Sequence, residues 1–402
     1  MAMSDSQPGR NLTLANLADV MPAINYEKNT PRTSEPIIVI EVVRFLCALL
    51  VLGVHYFTGF WFSPGSKPAL LLEGIHYRSP IERFTQIGWL GVEIFFVISG
   101  MVIARSALGV SAIDFVWRRF LRLAPGAWIA ATLTLIMVAI AGQGGRDLMI
   151  SWIRSASFWP FGEQIDGSYW TLGIEICFYA LVALLLLKKG DTEKRLEGLA
   201  WLLALASSVF WIYKLATLDD LSHPSIRRFV ELTLLPHGCF FAIGICISQY
   251  ISLGSSRNRL LLFAIACIPA SIEVIVHAAE SAVVTHWPSA ALPALLVFAS
   301  ACVLLASSAA LQPKLRSWVS PRFARSIGAA TFPLYLIHQD AGAAVTAMLV
   351  HSDEAEPGLA LCITAILAIA AAWLISQFCE PPARQWLDKV VRQNIPMWRA
   401  AQ

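Results

Sequence analysis

The stretch "EVVRFLCALLVLGVHYF", Glu41–Phe57, decides how the rest of the chain is read. Its apolar run suits a membrane-crossing helix, which needs about twenty such residues. Yet it carries Arg44 near one end and His55 eleven residues later. At about 100° per residue, eleven steps return to within about 20° of the starting direction. The two polar groups therefore share one helix face, separated by roughly 16 Å along the axis. A charged residue at the centre of a membrane helix costs about 2.5–3.5 kcal/mol on an insertion scale, and such residues mark function by default. Snorkelling to the headgroups accounts for an arginine near a helix end. It does not account for His55, which is too deep and too short to reach them.

The whole composition agrees with a membrane reading. The 402 residues are 57% hydrophobic and only 14% charged, against roughly 25% charged in soluble domains. The class expected is an all-α, polytopic membrane helical bundle. A net charge of +3 is too small to argue for nucleic acid. The eight cysteines (Cys47, Cys177, Cys239, Cys246, Cys267, Cys302, Cys362 and Cys379) all fall in or beside apolar runs. None forms a C-x-x-C pair or clusters with histidines at metal-ligand spacing. They read as small packing residues, and no metal is expected.

Working outward from Glu41–Phe57, the chain offers about ten apolar segments: 36–62, 86–106, 121–142, 168–188, 199–216, 230–252, 259–277, 290–311, 327–350 and 358–379. The loops "RRFLR", "KKGDTEKR", "SSRNR" and "KLRSWVSPRFAR", with the tail after Glu380, fall on one side and hold most of the Lys and Arg. By the positive-inside rule that side is cytoplasmic, and ten spans put both termini there. Residues 1–35 are polar and lack the basic and apolar regions of a secretory signal. They read as a cytoplasmic tail, residues 36–380 as one membrane domain, and 381–402 as a second cytoplasmic tail. In the latter, Pro381 and Pro382 break the chain before an amphipathic surface helix.

Other polar groups recur where lipid is expected. Glu93 interrupts "GWLGVEIFFVISG", whose Gly88, Gly91 and Gly100 permit close helix packing. Glu175 lies in "WTLGIEICFY", and His338 follows Tyr335 by three residues in "TFPLYLIHQD", on the same helix face. Arg118, Arg119 and Arg122 follow the second segment; Arg118 and Arg122 share a face suited to phosphate or to membrane anchoring. Glu273 with His277 and the separate His237 read mainly as structural. The aromatic residues of the outer loops, among them Trp159 and Trp170, read as an interfacial belt.

Five landmarks in order, R-x10-H from Arg44 to His55, "GWLGVEIFFVISG", "FVWRRFLRLAP", "WTLGIEICFY" and "FPLYLIHQ", resemble the acyltransferase-3 family of integral membrane O-acyltransferases. Members modify bacterial surface polysaccharides, exopolysaccharides, nodulation factors and some macrolides. The resemblance runs from about residue 36 to 380 and implies an acyltransferase of the bacterial inner membrane. Its donor would be acyl-CoA, most often acetyl-CoA, and its acceptor a carbohydrate hydroxyl. The resemblance implies that Arg44 and His55 are functional, with His55 in the reaction centre. It implies that Arg118, Arg119 and Arg122 belong to the mouth that handles acyl-CoA, with Tyr335 and His338 on the donor path. Glu93 stands where the family often has Asp, and Ile176 replaces a second acidic residue beside Glu175. The stand-alone form is expected, without a hydrolase-like extension after the spans.

The chemistry expected of such an enzyme needs a base for the hydroxyl and stabilisation of the oxyanion. His55 is the natural base, with Glu93 or Glu175 to orient its ring and Arg44 on donor or developing charge. The rival from another class is a transporter or flippase, since intramembrane Arg, His and Glu also line substrate paths.

Overall fold

The computed structural model describes residues 37–61, 65–75, 77–217, 223–353 and 355–394; the expected tail 1–35 lies outside these. The longer helices are α1 Ile38–Phe57, α2 Leu90–Ser106, α3 Ala112–Ile140, α4 Trp170–Leu186, α5 Thr192–Thr217 and α6 Gly238–Leu253. They continue with α7 Arg257–Thr285, α8 Ala291–Ala306, α9 Pro321–Ile337, α10 Asp340–Asp353, α11 Pro357–Leu374 and α12 Glu380–Asn394. Their starts are written locally. Ser111, Ser256 and Ser320 each accept a backbone N–H three residues on, and Glu356 does the same for α11. These caps satisfy donors that a helix start leaves open, and Pro321 and Pro357 sit at the first helical position, where no N–H is needed.

Helix α2 is the axis of the bundle. It crosses α6 so closely that a Cβ on Gly100 would strike the Phe241 backbone, and one on Gly244 the Val97 carbonyl. On its other side, Gly88 and Gly91 lie against the carbonyls of Leu50 and Cys47 in α1. Small residues let these backbones meet, the usual route to tight packing where lipid supplies no hydrophobic drive. Helix α9 closes on α1 in the same manner, with Gly328 against the side chain of Glu41.

Among the described residues, seven helices are long and apolar enough to cross a membrane, or eight if the bent pair at Ala306 is one span. The difference from ten comes from particular segments. The predicted span 230–252 divides into Pro224–Leu232 and the shorter α6, with Leu234 in a left-handed turn between them. The predicted span 327–350 divides into α9 and α10 at His338 and Gln339. The predicted span 290–311 bends by 75° between Ala291–Ala306 and Ser308–Arg316. By contrast, Pro381 and Pro382 do not stop the chain. A π-helical turn, Ile375–Cys379, carries α11 into α12, where both prolines fall in the first turn. Helix α12 packs on the start of α3, with Trp117 Nε1 donating to Asp388 at 2.7 Å and Arg384 Nε to the Leu121 carbonyl at 3.0 Å. All eight cysteines are unpaired.

Candidate active site

A cavity of about 140 Å³ opens among α1, α2, α3, α4 and α9, lined by Arg44, Arg119, Arg122, Glu175, Tyr179 and Tyr335. Three guanidinium groups face the single carboxylate of Glu175. Arg44 Nη1 stands 3.5 Å from Glu41 Oε2, and Arg122 Nη1 donates to Glu380 Oε1 at 3.1 Å. Arg122 also lies over the Phe332 ring at 5.4 Å, and Arg119 over Phe115 at 5.8 Å. Glu175 Oε1 accepts from Ser99 Oγ at 2.9 Å and from the Tyr179 hydroxyl. Arg119 Nε is buried without a hydrogen-bond partner among the described residues. Such a cavity has cationic donors to spare, held in planes that match a phosphate or carboxylate.

From this cavity the aromatic wall leads inward. Tyr335 stands edge-on to Phe95 at 5.7 Å and lies 5.6 Å from the ring of His338. His338 in turn lies 5.0 Å from the ring of His55, the two planes tilted by 56°. His338 is 1% exposed, and its Nδ1 meets the Tyr335 carbonyl at 2.7 Å. A carbonyl can only accept, so Nδ1 carries the proton and Nε2 presents a lone pair. That Nε2 is buried and has no hydrogen-bond partner among the described residues. His55 is half-buried. Two imidazoles thus meet, one of them with its tautomer fixed.

The break between α9 and α10 is what turns His338 toward His55. Interrupted helices leave backbone groups open, and in a buried interior these must be satisfied by protein. Two buried carboxylates do so reciprocally. Asp166 Oδ2 accepts the Asp340 N–H at 2.8 Å, while Asp340 Oδ2 accepts the Gly167 N–H at 2.7 Å. Asp166 Oδ1 takes the Ser168 N–H and hydroxyl as well, at 3.0 and 2.6 Å. The clasp ties the segment before α4 to the residues just after His338. Burial pushes the Asp166 carboxyl up to about 6 despite these hydrogen bonds, and raises that of Asp340 beside it.

Glu93 lies elsewhere. Its Oε1 is 3.3 Å from His277 Nδ1, and with Glu273 and His237 it lines a second cavity of about 260 Å³. Residues of α2, α5, α6 and α7 or just before them form this cavity, Trp89, Lys214, His237 and His277 among them, and Val92 lines both cavities. Trp170, expected in an interfacial belt, turns into it and lies 5.9 Å from the His237 ring.

Over residues 37–377 the chain matches the family model of the acyltransferase-3 family, described as an acyltransferase domain. The chain belongs to this acyltransferase-3 family. Comparisons with curated proteins and with solved structures returned no match. The protein is therefore a multi-pass membrane acyltransferase, and the reading as a carrier falls away.

Within this acyltransferase-3 bundle the expected residues fall into three places. Arg44, Arg119, Arg122, Glu175 and Tyr335 share the first cavity. His55 and His338 meet beyond it. Glu93 belongs to the second. Arg118 is exposed and lines neither, so the arginine pair that faces inward is Arg119 and Arg122 at i and i+3 rather than Arg118 and Arg122 at i and i+4. The ring that neighbours His55 is His338; Glu175 is engaged by Ser99 and Tyr179, and Glu93 by His277. Sequence reading missed Asp166 and Asp340 as partners. The available signal was two acidic residues flanking two apolar segments, which says nothing about their meeting.

Proposed function

We propose that the chain is an O-acyltransferase of the bacterial inner membrane. It moves an acyl group, acetyl foremost, from cytoplasmic acyl-CoA to a hydroxyl of a surface or exopolysaccharide sugar, or of its lipid-linked precursor. The observation that carries this reading is the continuous line from the arginine cavity through Tyr335 to His338 and His55. The basic loops gather at the Arg44 end, which supports a cytoplasmic face there, with both termini on that side. Arg119 and Arg122 receive the phosphates of the donor. Arg44 steers the same charge; at roughly 16 Å from His55 along the helix it is too far to touch the reacting carbonyl.

At the inner end of the line His55 takes the proton of the acceptor hydroxyl as its oxygen attacks the thioester carbonyl carbon. The tetrahedral adduct collapses with cleavage of the carbon–sulfur bond. The proton held on His55 leaves with the sulfur, giving the ester and the free thiol of CoA. His338 takes the neighbouring position that a carboxylate holds in other acyl-transfer sites, offering its Nε2 lone pair to the protonated His55 as charge develops. Glu175 stays with the donor, balancing Arg44 and Arg119.

The test incubates purified protein with labelled acetyl-CoA and a candidate glycan. Covalent label in the glycan from wild type, and none from a folded His55→Ala variant, supports the reading. Normal transfer by His55→Ala removes His55 from the mechanism. Mass spectrometry of the cell's surface glycan with and without the protein then identifies the acceptor.

A further inference from the structure

We propose that Glu93, Glu273 and His277 form a site for one divalent transition-metal cation of the Zn²⁺ or Mn²⁺ class. It lies in the second cavity, which does not include Arg44. The proposal concerns a second site and does not rest on the acyl-transfer mechanism.

Glu93 comes from α2, while Glu273 and His277 lie at i and i+4 on one face of α7. One ligand atom from each lies within 4.8 Å of the other two. Glu93 is 3% and Glu273 0% exposed, so two carboxylates are buried side by side in a membrane bundle. Glu93 Oε2, Glu273 Oε2 and His277 Nδ1 all lack a hydrogen-bond partner among the described residues. An ion pair alone fits these facts less well. His277 Nδ1 is 3.3 Å from Glu93 Oε1, yet the pair does not meet hydrogen-bond geometry. One imidazolium also leaves two carboxylate oxygens open in a low-dielectric site, where unmet polar atoms are costly. A dication balances both carboxylates and satisfies all three atoms together.

The surroundings support the same reading. His237 Nδ1 lies 2.6 Å from Glu273 Oε1, fixing that carboxylate while leaving Oε2 free, as an outer-shell partner does at a metal site. Trp89 stands edge-on to the His277 ring at 5.1 Å and limits its rotation. Two carboxylate oxygens and one imidazole nitrogen suit Zn²⁺ or Mn²⁺ better than a thiolate-seeking metal. With bonds of about 2.1 Å, tetrahedral ligands sit about 3.4 Å apart, so the three side chains draw in slightly around the cation. The adjoining cavity of about 260 Å³ supplies room for water at the remaining position. The ligands come from two helices, which is why no metal-binding spacing stands in the sequence.

The test uses the full chain in detergent, purified without a polyhistidine tag and dialysed against EDTA. It is then given ZnCl₂ or MnCl₂, with metal content read by elemental mass spectrometry and melting followed in parallel. Wild type is expected to take up one equivalent and melt at a higher temperature. Glu273→Gln and His277→Gln are expected to lose affinity by at least about tenfold, along with the metal-induced rise. The wild-type measurement stands even if a variant fails to fold. Uptake by neither metal, with melting unmoved, overturns the proposal, as does equal uptake by the folded variants. Because the readout is metal content, a negative acyl-transfer assay leaves this result intact.

Discussion

The two cavities of this bundle are built on opposite terms. In the first, carboxylates are spoken for: Glu41 and Glu380 pair with Arg44 and Arg122, and Glu175 accepts from Ser99 and Tyr179. What remains open is a cationic donor, Arg119 Nε. In the second, the cations are the weaker party, and oxygens of Glu93 and Glu273 remain open. The first is prepared for an anionic ligand and the second for a cationic one. Phe96 and Val92 line or border both, so α2 and its crossing with α6 form the partition.

The largest effect expected is at the histidine pair, beyond the first cavity. His338→Ala and His55→Ala should each lower turnover by about 10²–10⁴-fold, the range of general acid–base groups, with the protein still folded and inserted. Glu93→Gln, in the other cavity, should leave the pH profile of turnover unchanged. If Glu93→Gln shifts that profile as His338→Ala does, the two regions work as one and the comparison fails.

A smaller effect belongs to the arginines. Arg119→Gln or Arg122→Gln removes charge-assisted hydrogen bonds worth about 1.5–3 kcal/mol each. The Michaelis constant for acyl-CoA should then rise roughly 10–100-fold. Arg118→Gln, exposed on the same helix, should change it little. Equal effects from Arg118 and Arg119 would mean that surface charge, not the cavity, gathers the donor.

The partition itself can be broken. Gly244→Val forces a side chain onto the Val97 carbonyl and the Gly100 backbone, and should destabilise by the upper end of about 1–3 kcal/mol or beyond. Melting in detergent should drop by several degrees, and both cavities should suffer together. An unchanged melting temperature would mean that α2 and α6 are not locked at this crossing.

Much of this was legible in the sequence, and for definite reasons. Arg44 and His55 share a face because helical periodicity needs no partner to specify it. Gly88, Gly91 and Gly100 announced close packing because only glycine fits there. What periodicity cannot give is the rotation of each helix in the bundle. Arg118 and Arg119 are neighbours with different faces, and only packing against α4 and α9 decides which looks inward. Glu93 was one of two carboxylates read toward His55, the other being Glu175, yet it turns to His277 of α7. The count of spans failed where the chain bends or breaks within the bundle, at Leu234, Ala306 and His338, since hydropathy is blind to interruptions that stay buried.

The clasp of Asp166 and Asp340 offers the finest test, because it is a second pair of buried carboxylates with the opposite solution. Here backbone N–H groups and the Ser168 hydroxyl satisfy the oxygens, whereas Glu93 and Glu273 each keep one oxygen open. Even so, burial holds Asp166 at about 6 against an ordinary 3.8, and Asp340 is raised beside it. A carboxyl raised in the folded state stabilises the fold while protonated; that contribution is full below about 3.8 and is lost as pH rises through about 6. The neighbouring Lys67 opposes the rise at Asp340 and Glu163 adds to it. The apparent melting temperature should therefore fall modestly between about pH 4 and 7. Asp166→Asn, which cannot ionise, should flatten that slope while weakening the clasp at every pH. A slope unchanged in Asp166→Asn would place the titration outside the clasp, and a melting temperature that rises over this range would reverse the sign argued for it.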